Sequence, residues 1–425
     1  MRIFYGWWIV LAAFLCLFFA VAILFYGFPV FYPSMIQSLG FTRAQLSEGF
    51  LLGFFVGALP FGLLAGVLID RLGPQKVIWA GVLLVGLAMI LMGSMTRLWQ
   101  FYLLCVMGEI GYVLSGPIPN QVLIANWFQA RRGRAMGYAY LGLGLGGVVS
   151  PLVIAKLIQS FGWRHALQVT GALILLVLLP VAKWIIKSYP REMNLQPDGL
   201  AAVEASLESA LVAPSSDLGR FSVRTDLTSA LESRNFWLIV AGCTLTIGAI
   251  GAVTQHLVLF LKDQGYSLKA ASHVSSAVLG ASLVGRVIVG YFADRRSKKN
   301  MMALFYIVLG LSIPLLFLSH QSLAVWAFAL LFGFALGADY MLIPLLTAEC
   351  FGLSALGKLL ALIISGYSLG QWVAPWLAGK LFDAYHNYDL AWTIMTAAAV
   401  LGAAIIFAVV PQKDQRADLR YSDPP

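Results

Sequence analysis

Long apolar runs, separated by short polar loops, follow one another along the whole chain. A helix needs about 20 apolar residues to cross a hydrocarbon layer of about 30 Å. Twelve runs reach this length, which predicts an all-α polytopic membrane protein with twelve transmembrane helices. The predicted helices of the first half cover residues 7–34, 45–69, 77–95, 98–126, 134–158 and 165–187. Those of the second half cover residues 236–262, 270–293, 301–319, 323–349, 356–381 and 388–411.

One long polar segment lies between the sixth and the seventh run. Residues 188–234 contain prolines, several glutamates and a serine-rich patch, and we interpret them as a cytoplasmic linker. The predicted organisation is a six-helix bundle over residues 1–187, this linker, a second six-helix bundle over residues 235–411 and a cytoplasmic tail over residues 412–425.

The composition excludes a water-soluble fold. Hydrophobic residues make up 60% of the chain and charged residues 11%, and the mean hydropathy is +0.84. A soluble domain carries about a quarter charged residues. With both termini in the cytoplasm, 20 lysines and arginines lie on the cytoplasmic side and 7 on the outer side, as the positive-inside rule requires. This distribution explains the net charge of +9 without a nucleic-acid partner.

Motifs of enzymatic chemistry do not occur in the sequence. The four cysteines (Cys16, Cys105, Cys243 and Cys350) lie inside apolar runs without a CxxC spacing, which disfavours a disulfide or a metal site. Residues 142–147 match the dinucleotide pattern GxGxxG, but they lie inside an apolar helix with no preceding strand. Small residues that let helices approach closely explain this pattern better. We therefore expect no cofactor, no metal and no enzymatic activity.

The two halves of the chain repeat each other at an offset of 224 residues. The repeated positions are Gly66, Asp70 and Arg71, which match Gly290, Asp294 and Arg295, and Gly142, Gly146 and Pro151, which match Gly366, Gly370 and Pro375. Parallel repeats of six helices are related by an axis along the membrane normal, and their binding site lies near the midplane where the repeats meet. We therefore predict one substrate site to which both halves contribute.

The loop after the second run resembles the signature of the major facilitator superfamily. The residues that carry the resemblance are Gly66, Asp70, Arg71, Gly73 and Lys76, with a weaker copy from Gly290 to Lys299. Together with the twelve runs and the central loop, the resemblance covers the whole chain. It implies the superfamily's fold of two six-helix bundles.

Further motifs resemble the monocarboxylate transporter family and its bacterial oxalate/formate-antiporter-like relatives. They are residues 5–8 (YGWW), 26–33 (YGFPVFYP), 39–43 (LGFTR), 127–128 (WF) and 131–133 (RRG), together with His256 and Arg286. In that family an arginine of the eighth span binds the substrate carboxylate, which the resemblance implies for Arg286. Ser282 stands where animal members carry an acid, and the eleventh run has no cation between Lys358 and Lys380. A dicarboxylate that needs two cations is therefore disfavoured.

Arg286 is a basic residue in the middle of an apolar run. It lies eight residues before Asp294, which is about 12 Å inside the membrane. A charge at this depth is costly, so it usually faces a cavity or a partner. A guanidinium offers a planar fork that matches a carboxylate, and we expect Arg286 to bind the anion. A structural ion pair and snorkelling to the membrane surface are the alternatives.

Three titratable residues in the apolar runs are candidates for the proton, and two of them, Asp339 and His256, are also candidates for binding the substrate. Asp339 and Glu109 lie at a similar depth and could pair with Arg286 or carry the coupled proton, because burial favours the neutral acid. For Glu109, a hydrogen bond between helices explains the residue equally well. His256 lies nearer to the outer mouth, where it could be a protonation gate or a satisfied interface residue.

The remaining candidates are polar or aromatic side chains and two acid–arginine pairs. Ser282 shares a helix face with Arg286, and Tyr340 follows Asp339 but points about 100° away from it. Further candidates for lining the site are Tyr112, Asn120, Tyr140, Tyr367 and Gln371. The pairs Asp70–Arg71 and Asp294–Arg295 are expected to make contacts in only one conformation, as a conformational switch.

The sequence thus predicts a monomeric secondary transporter in the plasma membrane of a bacterium, which moves a small organic anion, a monocarboxylate, and a proton together by alternating access. An anion exchanger and a proton-driven efflux pump are alternatives. Efflux antiporters place a glycine directly before a proline in the fifth span, whereas Gly146 and Pro151 are separated here. A non-transporting membrane receptor is the alternative from another functional class.

Overall fold

Helices account for nearly all of the structure, a computed structural model that describes residues 4–129, 131–198, 227–293, 297–351 and 356–410. Ten helical segments in these ranges are long and apolar enough to cross a membrane. One of them, Arg132–Ile185, contains two helices that meet at Gly162, where φ is +75°. The helix Leu356–Tyr385 completes a set of twelve.

We label the twelve helices α1 to α12 in chain order. The first six are α1 (Gly6–Leu39), α2 (residues 43–72), α3 (Pro74–Met92), α4 (Leu98–Trp127), α5 (residues 132–161) and α6 (residues 163–185). The second six are α7 (Arg234–Asp263), α8 (Leu268–Ala293), α9 (Lys298–Leu318), α10 (Ser322–Phe351), α11 (Leu356–Tyr385) and α12 (Asp389–Phe407). The predicted all-α fold with twelve helices is confirmed.

The ends and interruptions of the helices follow local chemistry that hydrophobicity alone does not show. The first apolar run is predicted to stop at residue 34, but α1 continues to Leu39 and ends at Gly40. The φ of +70° at Gly40 is a left-handed conformation that favours glycine. Within α1, two π-helical turns over Leu17–Val21 and Ile23–Gly27 precede a 3-10 turn over Phe28–Phe31.

Glycines allow some neighbouring helices to approach closely. Gly142 and Gly146 of α5 pack on the backbone of α1, and a Cβ atom at Gly146 would lie 2.7 Å from the carbonyl oxygen of Phe18. In the second half, Gly370 of α11 packs on the backbone of α7 at Thr244, where a Cβ atom would overlap the carbonyl oxygen. Gly142, the first glycine of the GxGxxG match, thus serves helix packing, as does the neighbouring Gly146.

Contacts group the chain into two compact units. The first unit comprises Met1–Phe41 and Glu48–Arg220, and the second comprises Thr42–Ser47 and Phe221–Pro425. The start of α2 therefore belongs to the second unit. Residues 199–226 of the predicted linker and the whole predicted tail lie outside the described residues.

Large apolar side chains are exposed on helices of both units. Leu176 is 75% exposed, Val287 is 74% exposed and Leu323 is 80% exposed. Soluble monomers rarely expose an extended apolar surface, whereas a helix that faces lipid requires one. The surface chemistry and the helix lengths therefore agree on a chain that spans a membrane several times.

Candidate functional site

Arg286, the predicted anion anchor, lies on α8 within the candidate span Leu268–Val289, and its side chain is partly buried. One turn earlier, Ser282 is buried and donates its hydroxyl hydrogen to the carbonyl oxygen of Leu279 at 2.8 Å. Gly337 of α10 packs directly on this turn. A Cβ atom at Gly337 would overlap the carbonyl oxygen of Ser282 and would lie 2.9 Å from the amide nitrogen of Arg286. The backbone that carries Arg286 is therefore held tightly against α10.

Asp339 lies on a different face of α10. A step of two residues turns a helix by about 200°, so Asp339 points away from the surface on which Gly337 meets α8. Asp339 is 4% exposed, and Tyr306 of α9 donates its hydroxyl hydrogen to Asp339 Oδ1 at 2.6 Å. The Tyr306 hydroxyl oxygen also lies 3.6 Å from the sulfur of Cys243. A buried carboxylate thus receives a short hydrogen bond from a buried donor.

His256 of α7 is fully buried, and its two ring nitrogens have three partners. Nε2 lies 2.9 Å from the carbonyl oxygen of Pro375 and 3.2 Å from Ser47 Oγ, while Nδ1 lies 2.9 Å from Tyr388 Oη. Because a carbonyl can only accept, Nε2 carries a hydrogen. The Arg43 guanidinium donates to Tyr388 Oη at 2.7 Å, and the Tyr388 hydroxyl can in turn donate its own hydrogen to Nδ1. These bonds are all satisfied by the neutral Nε2–H tautomer of His256.

Arg43 begins α2 and belongs to a polar cluster of the second unit. Its guanidinium donates to Asp263 Oδ1 at 2.7 Å, and its Cζ atom lies 3.5 Å from the centroid of the Phe382 ring. The amide nitrogens of Arg43 and Ala44 donate to the two carboxylate oxygens of Asp383 at 3.2 and 3.1 Å. Asp383 therefore caps the first turn of α2, where a negative charge is stabilised. The cluster fixes the start of α2 to the ends of α7 and α11.

The sequence carries one local signal for this cluster. Thr42 and Gln45 have the spacing of a capping box. The Gln45 side chain accepts from the Thr42 amide at 2.9 Å, and the Gln45 amide donates to Thr42 Oγ1 at 3.2 Å. Arg43 and Asp263 are 220 residues apart, and no periodic pattern in the sequence connects them. The cluster is therefore a feature that sequence reasoning missed.

Glu109 of α4 belongs to the first unit and is 1% exposed. Both of its carboxylate oxygens are buried, and neither has a hydrogen-bond partner among the described residues. A Cβ atom at Gly53 of α2 would lie 2.7 Å from Glu109 Cγ and 3.1 Å from the carbonyl oxygen of Cys105. The carboxyl group is thus enclosed where α2 and α4 pack closely, and the described residues supply no hydrogen bond between helices that would explain it.

Asn120 forms hydrogen bonds with the backbone at an interruption of α4. Its Nδ2 atom donates to the carbonyl oxygens of Ser115 and Gly116, both at 2.7 Å. The helix is interrupted there because Gly116 adopts φ −87° and ψ −145° just before Pro117. The Asn120 side chain is buried, so both of its donor hydrogens serve the backbone of its own helix.

Two tyrosines of the first unit pack against neighbouring side chains. The Tyr112 ring on α4 lies 5.0 Å from the Phe25 ring of α1, measured between centroids. The hydroxyl of Tyr140 on α5 accepts a hydrogen bond from the Gln121 side chain on α4. Both tyrosines are partly buried, so each keeps some accessible surface.

Tyr367 and Gln371 lie one turn apart on α11, and both side chains are partly buried. Residues at this spacing share a helix face. Gly251 of α7 packs on the turn, where a Cβ atom would lie 2.6 Å from the carbonyl oxygen of Gln371. On α10, the side chain of Tyr340 lies outside the described part of the structure.

The first acid–arginine pair lies at the end of α2. Asp70 and Arg71 are both exposed, and the helix ends after Leu72 at Gly73, whose φ is +80°. Asp294 and Arg295, the second predicted pair, lie outside the described residues. In the second unit, the structure therefore brings together the Ser282–Arg286 turn and Gly337, and it gives Asp339 and His256 separate surroundings.

Comparisons with known proteins place these features in context. A family model described as the Major Facilitator Superfamily matches residues 13–338 and 269–423. Monocarboxylate transporter 12 of Homo sapiens is 26% identical over 384 residues, which are 85% of this chain and 73% of that protein. The 4-hydroxybenzoate transporter PcaK of Pseudomonas aeruginosa is 25% identical over 422 residues, which are 95% of this chain and 92% of that protein.

Solved structures share the fold. The crystal structure of a D-xylose-proton symporter is similar with a TM-score of 0.72 at 16% sequence identity, covering 96% of this chain and 98% of that chain. A bacterial homolog of the human lysosomal transporter Spinster, in an inward-facing and occupied conformation, is similar with a TM-score of 0.67 at 16% identity. That match covers 99% of this chain and 98% of the other.

Proposed function

This chain belongs to the major facilitator superfamily, and from that premise we propose that it is a secondary transporter of a small organic anion, a monocarboxylate, in symport with a proton. The observation that carries the proposal is Arg286, a guanidinium within the candidate span Leu268–Val289. A cation at this depth is stable beside an anionic group. A carboxylate matches the planar fork of the guanidinium through two parallel hydrogen bonds.

The packing around Arg286 supports this role. Gly337 leaves no space between α10 and the Ser282–Arg286 turn, so the base of the arginine side chain is fixed by two helices. A backbone that is already fixed before the ligand arrives loses no further conformational entropy on binding. We therefore assign the carboxylate to Arg286 and propose Ser282, Tyr340, Tyr367 and Gln371 as lining residues of the second unit.

The names of two relatives support one carboxylate group as the shared substrate feature. One relative is a monocarboxylate transporter and the other a 4-hydroxybenzoate transporter. Because 4-hydroxybenzoate is also a monocarboxylic acid, both names point to a single negative charge. The two names do not specify the same carbon skeleton, so short aliphatic acids and aromatic acids are both to be tested.

The charge distribution of the loops supports one orientation in the membrane. We propose a monomer in the plasma membrane of a bacterium, with both termini in the cytoplasm. The orientation is supported by the loop charges, since 20 basic residues then lie inside and 7 outside. Transport would proceed by alternating access, with the exposed Asp70–Arg71 pair stabilising one of the conformations.

Counterflow in proteoliposomes tests the proposal. Liposomes loaded with unlabelled L-lactate or 4-hydroxybenzoate should take up the matching labelled acid, and the uncharged amides of these acids should not compete. Arg286→Ala should abolish counterflow, while Arg286→Lys should retain a weak activity because it keeps the charge and loses the fork. Lys156→Ala is the matched control, since it removes an exposed cation from α5.

Two outcomes test two separate claims: that Arg286 binds the carboxylate, and that the protein transports carboxylates at all. Counterflow at the wild-type rate by a folded Arg286→Ala protein would show that another group binds the carboxylate. Failure of the folded wild-type protein to exchange any acid of the panel would contradict carboxylate transport and favour a receptor or an efflux pump.

A further inference from the structure

The three candidate proton carriers have different surroundings. Asp339 is buried as well, but one of its oxygens accepts a hydrogen bond from Tyr306 at 2.6 Å, which offsets part of the cost of an ionised carboxylate. His256 has both ring nitrogens engaged, and a second proton on its ring would lie beside the guanidinium-bound Tyr388 hydroxyl. Glu109 differs from both, because neither of its buried oxygens has a partner among the described residues.

A buried carboxyl group without a hydrogen-bond partner favours its neutral form. The described residues place no basic nitrogen within 4.0 Å of the Glu109 oxygens. The titratable groups that interact with it are the buried Tyr32 of α1 and Cys105, one turn earlier on α4, and neither supplies a positive charge. An isolated carboxylate is far more costly to bury than the neutral acid, so this enclosure holds the group in its protonated form.

We propose that Glu109 is the proton-binding group of the transport cycle, so that the first unit carries the proton and the second unit carries the anchor for the anion. The inference rests on the proposed carboxylate symport. In the step itself, one carboxylate oxygen of Glu109 takes a proton from water and later returns it to water, and no other bond changes. The proton can leave only in a conformation in which water reaches the group.

This assignment also explains why the anion and the proton would move together. With the anion on Arg286, the pair is neutral, and an ionised Glu109 would then add an unpaired negative charge inside the protein. Such a charge disfavours closure of the enclosure around the carboxyl group. Protonation of Glu109 removes the charge, so the loaded carrier closes in its protonated form.

A glutamine at position 109 tests the proposal, because it imitates the protonated acid permanently. Proteoliposomes of the wild-type protein contain a trapped pH indicator and start at the same pH inside and outside. Addition of the carboxylate to the outside should acidify their interior. Glu109→Gln should abolish this acidification and the accumulation driven by a proton gradient, while counterflow persists. Glu48→Gln is the matched control on α2, since its carboxylate accepts from Tyr102 at 2.9 Å, and it should acidify like the wild type.

Two further variants keep the test decisive. Glu109→Asp retains a carboxyl group, so it should acidify the liposomes even where Glu109→Gln does not. Asp339→Asn should leave the ratio of acidification to counterflow unchanged. Acidification by a folded Glu109→Gln protein, or loss of acidification with preserved counterflow in Asp339→Asn, would overturn the assignment.

Infrared spectroscopy separates a failure of this inference from a failure of the proposed function. The carbonyl stretch of a protonated carboxylic acid should be present in the wild-type spectrum at neutral pH and be lost in Glu109→Gln, whichever substrate is carried. An unchanged band would contradict protonation of Glu109. Absence of counterflow in the wild-type protein, in contrast, would contradict carboxylate transport alone.

Discussion

Removal of the Tyr306 hydroxyl should destabilise the second unit through Asp339. The Tyr306 side chain is 1% exposed, and its hydroxyl donates to Asp339 Oδ1 at 2.6 Å. In Tyr306→Phe the ring still fills the same space, so no cavity of the size of a side chain forms. The loss is therefore confined to one hydrogen bond to a buried carboxylate.

The size of the effect follows from the charge of the acceptor. A hydrogen bond to a charged group contributes about 1.5–3 kcal/mol, against about 0.5–1.5 kcal/mol for a neutral pair. In a unit of about 200 residues, each kcal/mol shifts the melting temperature by about 2–4 °C. Tyr306→Phe should thus lower the melting temperature of the second unit by about 3–12 °C. Tyr266→Phe, which removes a 2.8 Å bond to the neutral carbonyl oxygen of Ser319, should cost less.

A double-mutant cycle in detergent measures the coupling directly. Tyr306→Phe, Asp339→Asn and the double variant are compared by thermal unfolding, followed by tryptophan fluorescence. If the Asp339 carboxylate is ionised and bound to Tyr306, the tyrosine substitution should cost clearly less in the Asp339→Asn background. Additive effects, with a Tyr306→Phe shift no larger than that of Tyr266→Phe, would refute the ionised pair and make Asp339 a candidate proton carrier again.

Three further predictions concern packing and topology. Gly337→Ala should reduce counterflow at least tenfold, because the added methyl group displaces the Ser282–Arg286 turn. Gly62→Ala is the control, since a Cβ atom there meets nothing within 4 Å, and its counterflow should stay close to wild type. Equal counterflow rates for the two variants would exclude the tight packing at Gly337. Arg43→Gln should raise the hydrogen exchange of the amides of residues 43–47 about tenfold, because the bond to Asp263 is lost; unchanged protection would show that the bond does not hold this segment. Thr96→Cys and Gln264→Cys should react in intact cells with a maleimide that does not cross membranes, since both positions are exposed. The four native cysteines are buried and should not react. Labelling from the cytoplasmic side alone would reverse the proposed topology.

The helices could be predicted from the sequence because a membrane fixes their length. A run of about 20 apolar residues has few other stable arrangements, so the predicted 236–262 and 323–349 correspond to Arg234–Asp263 and Ser322–Phe351. The helix-packing role of Gly142 and Gly146 was also accessible, since small residues in an apolar helix usually face another helix.

Contacts between distant helices could not be predicted in the same way. Tyr306 and Asp339 are 33 residues apart on different helices, and neither the apolar period of α9 nor that of α10 indicates that they meet. The surroundings of Glu109 were equally hidden, because the absence of a partner depends on every helix that packs around it. The sequence therefore left open which of Glu109, Asp339 and His256 carries the proton, and the hydrogen bonds made by Asp339 and His256 but not by Glu109 distinguish them.

Uptake driven by an imposed gradient tests the proposed symport most directly. Proteoliposomes of the wild-type protein should accumulate the labelled carboxylate when the outside is more acidic than the inside. A membrane potential without a pH difference should drive little uptake, because an anion and a proton that cross together carry no net charge. Accumulation that follows the membrane potential, or uptake that is equal with and without the pH difference, would contradict proton-coupled carboxylate transport.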